Sequence, residues 1–333
     1  MVSGILKSNR PFVIILAIIS GIALWSFTLF HQPVLEFQAD TISMLFYKLL
    51  IGLFKNNILF LTVFAFILVI IQGLLLVWVN QKFILINFRT FLPAFFYIII
   101  SSSFVAIQMI NPILIGNFFI FFALFNIYKI YRSDYALNDI YIAGFFTAIA
   151  SLFWAPFAIF ILLIWIALII LRPFIGREWI VSILGFLTPI FFTFLIFYVF
   201  FDNNTLINIL NNIKLEYTSI TDFKNIHLSY ILFYSLLFLI ILIASLNLIS
   251  SFQNRKIKTR KYFVINFWYF IIGLGIFLFF KRSSFEIIYI LSIPISYLLS
   301  DYFYSFKKNH IQNAILILLY AGLIYIQIAH FGK

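Results

Sequence analysis

The stretch ILFLTVFAFILVIIQGLLLVWV, from Ile58 to Val79, contains 22 residues and no charge. About 20 consecutive apolar residues in a helix are enough to cross the hydrocarbon core of a bilayer. A helix on the surface of a soluble protein keeps one polar face toward water, which this stretch lacks. It therefore predicts a membrane-spanning helix, and the next question is how many such helices the chain contains.

The composition of the whole chain agrees with this prediction. Of its 333 residues, 65% are hydrophobic and 10% are charged, and the mean hydropathy is +1.13. A soluble domain carries about a quarter charged residues, so water-soluble enzymes and disordered tails are excluded. The net charge of +12 fits loops that face anionic lipid, and no nucleic-acid partner is expected. The absence of cysteine excludes disulfides and thiolate metal sites.

Apolar runs of spanning length recur along the chain, and they predict an all-α, polytopic transmembrane bundle of about 11 spans in a single membrane domain, residues 1–333. The third run is interrupted by Asn87, Arg89 and Pro93, so it either spans the bilayer or re-enters on the same side. The eleven runs are Pro11–Phe30, Ile58–Val79, Ile84–Ala106, Ile113–Tyr131, Asp139–Trp154, Pro156–Leu171, Ile180–Phe201, Ser229–Ser251, Tyr262–Phe280, Phe285–Tyr304 and Ile311–His330.

The distribution of charge predicts the orientation. With the N-terminus in the cytoplasm, alternating spans place 15 of the 22 basic residues on the inner side and 7 on the outer side. Six of the ten acidic residues then lie outside. Basic residues concentrate in cytoplasmic loops, so we predict a cytoplasmic N-terminus. The first run lacks a small-residue cleavage site and is interpreted as a true span rather than a signal peptide.

Two long outer loops, His31–Asn57 and Asp202–Leu228, each contain an amphipathic stretch that predicts an interfacial helix. The first loop also carries Glu36 and Asp40, which share one face if the segment is helical. Two carboxylates there could act as a catalytic base or hold a divalent cation. The alternative is a solvated polar edge of an interfacial helix.

Lys281 and Arg282 form a pair of cations in a short turn that this topology places outside, against the general bias. Paired cations at a membrane surface could bind a lipid phosphate, such as the head of a polyprenyl lipid. The alternative is an ion pair with Glu286.

The cytoplasmic stretch Leu171–Trp179 holds the densest polar cluster between two spans. It contains Arg172, Arg177, Glu178 and Trp179, and it predicts a rigid turn with an ion pair or a docking surface for a partner. The basic run Arg255–Lys261 is interpreted as an anchor to the inner leaflet. Three lone polar residues are expected to form interhelical hydrogen bonds, namely Gln108, Asn247 and Asn266.

One part of the chain resembles a known family. It contains the motifs DIYIAGFF, ASLFW, RPFIGREW and LGFLTP, which run from Asp139 to Pro189. These motifs resemble an uncharacterised family of polytopic membrane proteins from flavobacteria and related Bacteroidota. The resemblance implies a multi-pass protein of the bacterial inner membrane, and it implies no activity.

Two functions compete at this point, and whether the protein is an enzyme stays open. The architecture is similar to membrane glycosyltransferases that use polyprenyl-phosphate-linked sugars in envelope glycan assembly, with Glu36 or Asp40 as the base and Lys281 and Arg282 on the donor phosphate. The alternative is a non-enzymatic subunit or scaffold of a secretion, motility or polysaccharide-export complex, which needs a protein partner in the membrane. A transporter ranks third, since no inverted repeat is evident.

Overall fold

The computed structural model describes residues 12–30, 46–47, 50, 52, 57–86, 88, 90–200, 228–280, 285–305 and 309–331. Within these residues the chain forms eleven α-helices and no strand. The helices are α1 (Phe12–Phe30), α2 (Ile58–Phe83), α3 (Leu92–Ser101), α4 (Pro112–Lys129), α5 (Leu137–Phe153), α6 (Ile161–Leu171), α7 (Gly176–Phe200), α8 (Leu228–Ser250), α9 (Ile257–Phe279), α10 (Ile288–Ser305) and α11 (Asn309–Phe331).

Seven of these helices are long and apolar enough to cross a membrane, namely α1, α2, α4, α7, α8, α9 and α11. Their outward faces carry large apolar side chains, such as Phe191 and Phe192 of α7 and Leu246 of α8, each more than half exposed. Large exposed apolar surfaces are rare on soluble proteins and normal against lipid. The chain thus has the helices of a membrane protein, while the number of spans and their orientation stay predictions.

The predicted third span is wrong as a continuous helix. Only Leu92–Ser101 is α-helical, and a helix of ten residues is about 15 Å long, half the thickness of the hydrocarbon core. All ten residues are buried, because α3 packs between α1, α2 and α10. Irregular backbone at membrane depth is tolerated where it is enclosed by protein, and the segment that follows α3 meets this condition, because Ser102, Ser103 and Gln108 are all buried.

The helices α5 and α7 approach each other closely because both carry glycine at the crossing. A Cβ atom on Gly144 would lie 2.5 Å from the carbonyl oxygen of Ser182, and one on Gly185 would run into the carbonyl oxygen of Tyr141. Small residues at a membrane helix crossing allow the backbones to touch, so this pair packs tightly without lipid between them.

The bundle has two ends that the rest of the description uses. The basic end is the one at which Lys82, Lys129, Arg172 and Arg255 lie, where α2, α4, α6 and α8 finish. The opposite end, here the Tyr47 end, is formed around Tyr47, Ile110 and Phe153, next to the turn before α10.

Candidate functional site

At the Tyr47 end, a described part of the first long loop packs onto the bundle. The Tyr47 side chain is buried, and its hydroxyl donates a hydrogen bond of 2.9 Å to the carbonyl oxygen of Ile110. The ring of Phe46 meets the ring of Phe153 edge-on, with 5.6 Å between their centres. Residues 46–47 are therefore fixed against the start of α4 and the end of α5.

The turn before α10 comes to the same place. Residues Phe285–Ile287 form a short 3₁₀ helix that packs beside Val105–Ile107 and the start of α4. The hydroxyl of Tyr289, one turn further on, donates to the carbonyl oxygen of Ile107 at 2.9 Å. The loop around Tyr47 and the turn around Glu286 thus meet over the non-helical segment that follows α3.

The acid in this turn, Glu286, has a raised pKa. Its side chain is still partly exposed, and desolvation by the surrounding protein raises its pKa to about 7. Burial, with a smaller contribution from the Glu286 carboxylate, also raises the pKa of the Tyr47 hydroxyl. A carboxyl group with a raised pKa can both give and take a proton, and this one lies where the two segments meet, so this end is the candidate site.

The four residues predicted as the catalytic and phosphate-binding groups, Glu36, Asp40, Lys281 and Arg282, lie outside the described residues. In sequence, Asp40 precedes Tyr47 by seven positions and Arg282 precedes Glu286 by four. In the described part of the chain, no three His, Asp or Glu side chains are grouped to hold a metal ion. The divalent cation stays a prediction attached to Glu36 and Asp40.

The predicted polar turn at the basic end is held by an ion pair, but not between sequence neighbours. Glu178 is buried and pairs with Arg172, with 2.9 Å between Oε1 and Nε, while Arg177 is exposed. The Arg172 guanidinium also donates to the carbonyl oxygens of Ile130 and Ser133. Adjacent residues on a helix point in different directions, which is why Arg177 does not reach Glu178.

The aromatic residues of this turn complete its packing. Trp179 lies against Trp165 and Phe174, with ring centres 5.8 and 5.6 Å apart. Arg172 and Trp179 therefore hold the turn on two sides, and whether the turn is purely structural or docks a partner stays a prediction. Phe174 and Ile175 project from it, and the Phe174 side chain is 79% exposed.

A polar network that the sequence did not predict connects the centre of the bundle. Gln72, Tyr97, Asn117 and Tyr269 come from α2, α3, α4 and α9, and all are buried. The Tyr97 hydroxyl donates to Gln72 Oε1, and the Tyr269 hydroxyl donates to Asn117 Oδ1 at 3.1 Å. Asn117 Nδ2 in turn donates to the carbonyl oxygen of Tyr289 at 2.9 Å. Hydrogen bonds between neutral side chains bind membrane helices to one another, so this network joins the helices around α3.

The three lone polar residues predicted to bond between helices are confirmed in that role. Gln108 donates from its side-chain nitrogen to the carbonyl oxygens of Leu24 and Ser102, at 3.1 and 3.0 Å. Asn247 donates to the Ser305 hydroxyl at 3.0 Å. Asn266 accepts a hydrogen bond of 2.9 Å from the hydroxyl of Tyr128.

With this geometry in place, comparison with protein families assigns the chain. A model described as a family of unknown function, DUF6427, matches residues 5–333. The chain belongs to the DUF6427 family. This match covers nearly every residue, so the prediction that the chain belongs to an uncharacterised family is confirmed. No curated protein and no solved structure matches the chain.

Proposed function

We propose that this DUF6427 protein is a glycosyltransferase-like protein that handles a polyprenyl-phosphate-linked sugar at the Tyr47 end of the bundle. One observation supports the proposal above all others. The loop that carries Glu36 and Asp40 in sequence and the turn that follows Lys281 and Arg282 in sequence meet at Tyr47 and Glu286.

The proposed reaction divides the work between these two segments. Glu36 or Asp40 takes the proton of the acceptor hydroxyl as its oxygen attacks the anomeric carbon of the sugar. The bond between that carbon and the phosphate oxygen breaks, and polyprenyl phosphate leaves with the bonding electron pair. Lys281 and Arg282 stabilise the charge on the departing phosphate. Burial raises the pKa of Glu286 to about 7, so in this proposal its carboxyl group can return a proton.

The same proposal places the protein in the bacterial inner membrane as a multi-pass protein, with the basic end toward the cytoplasm. The basic residues Lys82, Lys129, Arg172 and Arg255 lie at one end of the described bundle, as expected for an inner face. The Tyr47 end then faces outward, where envelope glycans are assembled.

The test is sugar transfer by the full-length protein in proteoliposomes that contain a radiolabelled polyprenyl-phosphate sugar and extracted envelope glycan. Glu36→Ala with Asp40→Ala should abolish transfer, and so should Lys281→Ala with Arg282→Ala. The matched controls are Glu216→Ala with Asp222→Ala and Lys214→Ala with Lys224→Ala, which change the same charges in the second predicted outer loop. Unchanged transfer in the Glu36/Asp40 variant would overturn the proposal.

A second function rests on the turn at the basic end. Because Arg172–Glu178 and Trp179 hold that turn in place, the exposed Phe174 and Ile175 form a fixed apolar surface suited to a partner of a membrane complex. In this alternative the protein is a non-enzymatic subunit or scaffold. A partner that co-purifies in constant ratio and is lost from Phe174→Asp, with transfer activity absent from the wild type, would favour the scaffold.

A further inference from the structure

A cluster of aromatic rings lies at the basic end, where α2 and α4 finish and α9 begins. Phe83 is central, with ring centres 5.4 Å from Phe125, 5.6 Å from Tyr128 and 6.0 Å from Tyr262. Tyr128 and Tyr262 are also in contact with each other, and both are fully buried. The rings therefore form a floor that joins three helices.

Three ammonium groups lie over this floor, one from each helix. Lys82 Nζ is 4.7 Å from the centre of the Phe125 ring and 5.9 Å from that of Phe83. Lys258 Nζ is 5.8 Å from the same Phe83 ring, and Lys129 Nζ is 4.8 Å from the Phe125 ring. Lysines over aromatic faces gain about 0.5–1 kcal/mol each at exposed sites, which helps to hold them in this arrangement.

The described acids at this end do not neutralise the cluster. Asp139 pairs with only one of the three lysines, Lys129, at 3.3 Å, while Glu178 and Asp301 are paired with Arg172 and Arg255. Asp134, the other acid described at this end, is exposed and is in none of these pairs. Within the described residues, neither Lys82 nor Lys258 has a carboxylate within salt-bridge distance. Lys82 and Lys258 both lie within 6 Å of the centre of the Phe83 ring, so their like charges repel each other, and a bound anion would offset that repulsion.

The position of Trp78 indicates that the anion belongs to a lipid headgroup. Trp78 lies one helical turn before Lys82, stacks on Phe125 with 4.5 Å between ring centres, and is 42% exposed on the outward face of α2. The Lys82 ammonium is 5.3 Å from the centre of the Trp78 ring. Tryptophan at the edge of the hydrocarbon core marks the level of the lipid headgroups. An anion beside Lys82 is thus at headgroup depth, with an apolar wall below it for an acyl chain.

We infer that Lys82 and Lys258, held over Phe83 at the basic end, bind the phosphate of an anionic phospholipid. The site lies at the end opposite the proposed transfer chemistry and does not depend on it. Basic pockets between membrane helices on the inner side are suited to such headgroups, because two cations can share one phosphate group.

The experiment measures lipid binding to the full-length protein in neutral detergent by native mass spectrometry. The probes are phosphatidylglycerol, phosphatidylcholine and inorganic phosphate. The test variant is Lys82→Gln with Lys258→Gln. The control is Lys256→Gln with Arg177→Gln, which removes two exposed charges from the same end away from the aromatic floor. A thermal unfolding scan of each variant checks that it is folded, and Lys82→Arg with Lys258→Arg keeps the charge.

The wild type should bind phosphatidylglycerol in preference to phosphatidylcholine. Each basic residue near an anionic lipid contributes about fivefold, so the test variant should bind phosphatidylglycerol about 30-fold more weakly. The control and the arginine variant should stay within about threefold of the wild type, since they keep two cations over Phe83. Equal loss in the test and control variants, or equal binding of both lipids by the wild type, would overturn the inference. Displacement of the lipid by millimolar inorganic phosphate would also overturn it, because the ligand would then be a free phosphate.

Discussion

The two ends of the bundle handle charge in opposite ways. At the basic end, the acids Asp139, Glu178 and Asp301 are each paired with a cation, and further lysines rest on aromatic rings. At the Tyr47 end, the described contacts are neutral hydrogen bonds and the ring contact of Phe46 with Phe153, and the pKa of Glu286 is raised toward neutrality. Paired charges hold a structure in place, whereas an acid that titrates near neutral pH is suited to proton transfer. We therefore propose that the basic end stabilises the bundle and binds lipid, and that sugar transfer takes place at the Tyr47 end.

The largest effect should come from breaking the buried ion pair at the basic end. Arg255 and Asp301 form a bidentate pair at 2.6 and 2.7 Å, with side chains only 8% and 7% exposed. Asp301→Asn leaves the guanidinium buried without its counter-charge and should lower the free energy of unfolding by about 3–5 kcal/mol. Thermal unfolding in detergent measures this loss. Asp134→Asn, at an exposed acid of the same end, is the control, and equal stability of the two variants would contradict the prediction.

The next effect is a dependence of stability on pH that comes from Glu286 at the Tyr47 end. The pKa of Glu286 is about 7 in the folded protein and 4.5 for the free side chain. Between pH 4.5 and pH 7 the folded protein therefore keeps a proton on Glu286 that the unfolded chain has lost. Its contribution to stability is therefore complete below about pH 4.5 and is lost as the pH rises through 7. Unfolding scans from pH 4.5 to 8 should show this decline, and Glu286→Gln should flatten it. A wild-type slope that persists in Glu286→Gln would assign the titration to another group.

A smaller effect is expected from the hydroxyl that joins the first long loop to the bundle. Tyr47→Phe removes the hydrogen bond to Ile110 and keeps the ring, so it should cost about 1 kcal/mol of unfolding free energy. The matched control is Tyr135→Phe, because the Tyr135 side chain is 91% exposed. If the two variants unfold at the same temperature, the loop around Tyr47 is not fixed by this bond.

The smallest effect should come from the partly exposed pair at the basic end. Lys129 and Asp139 lie 3.3 Å apart with side chains 33% and 18% exposed, and water and salt weaken such a pair. Asp139→Asn should therefore cost less than about 1 kcal/mol. Thermal unfolding of Asp139→Asn and of Asp301→Asn, each in low and in high salt, compares the exposed ion pair with the buried one. A loss as large as that of Asp301→Asn would mean that exposure does not rank these ion pairs.

The helices could be predicted well from the sequence because the bilayer imposes one simple requirement, a continuous apolar run. Ten of the eleven predicted segments correspond to an α-helix of similar extent, α6 with a short 3₁₀ helix before it. The exception is Ile84–Ala106, whose polar interruptions the sequence did show. Its outcome as a short buried helix depends on the neighbours that enclose it, and those neighbours are tertiary information.

The polar contacts could be predicted less well. Asn266 was recognisable as a lone polar residue in an apolar run, which finds a partner because an unpaired polar group is costly in lipid. The network of Gln72, Tyr97, Asn117 and Tyr269 was not, since it depends on how four helices are rotated toward one centre. The partner of Glu178 was missed for the same reason, because Arg172 reaches it across the turn.

The most direct test of the division between the two ends is native mass spectrometry of the protein gently extracted from its own host. The account predicts bound polyprenyl phosphate in the wild type, its loss from Lys281→Ala with Arg282→Ala, and its retention in Lys82→Gln with Lys258→Gln. A wild type without this lipid, or equal loss from both variants, would contradict the placement of lipid-phosphate chemistry at the Tyr47 end.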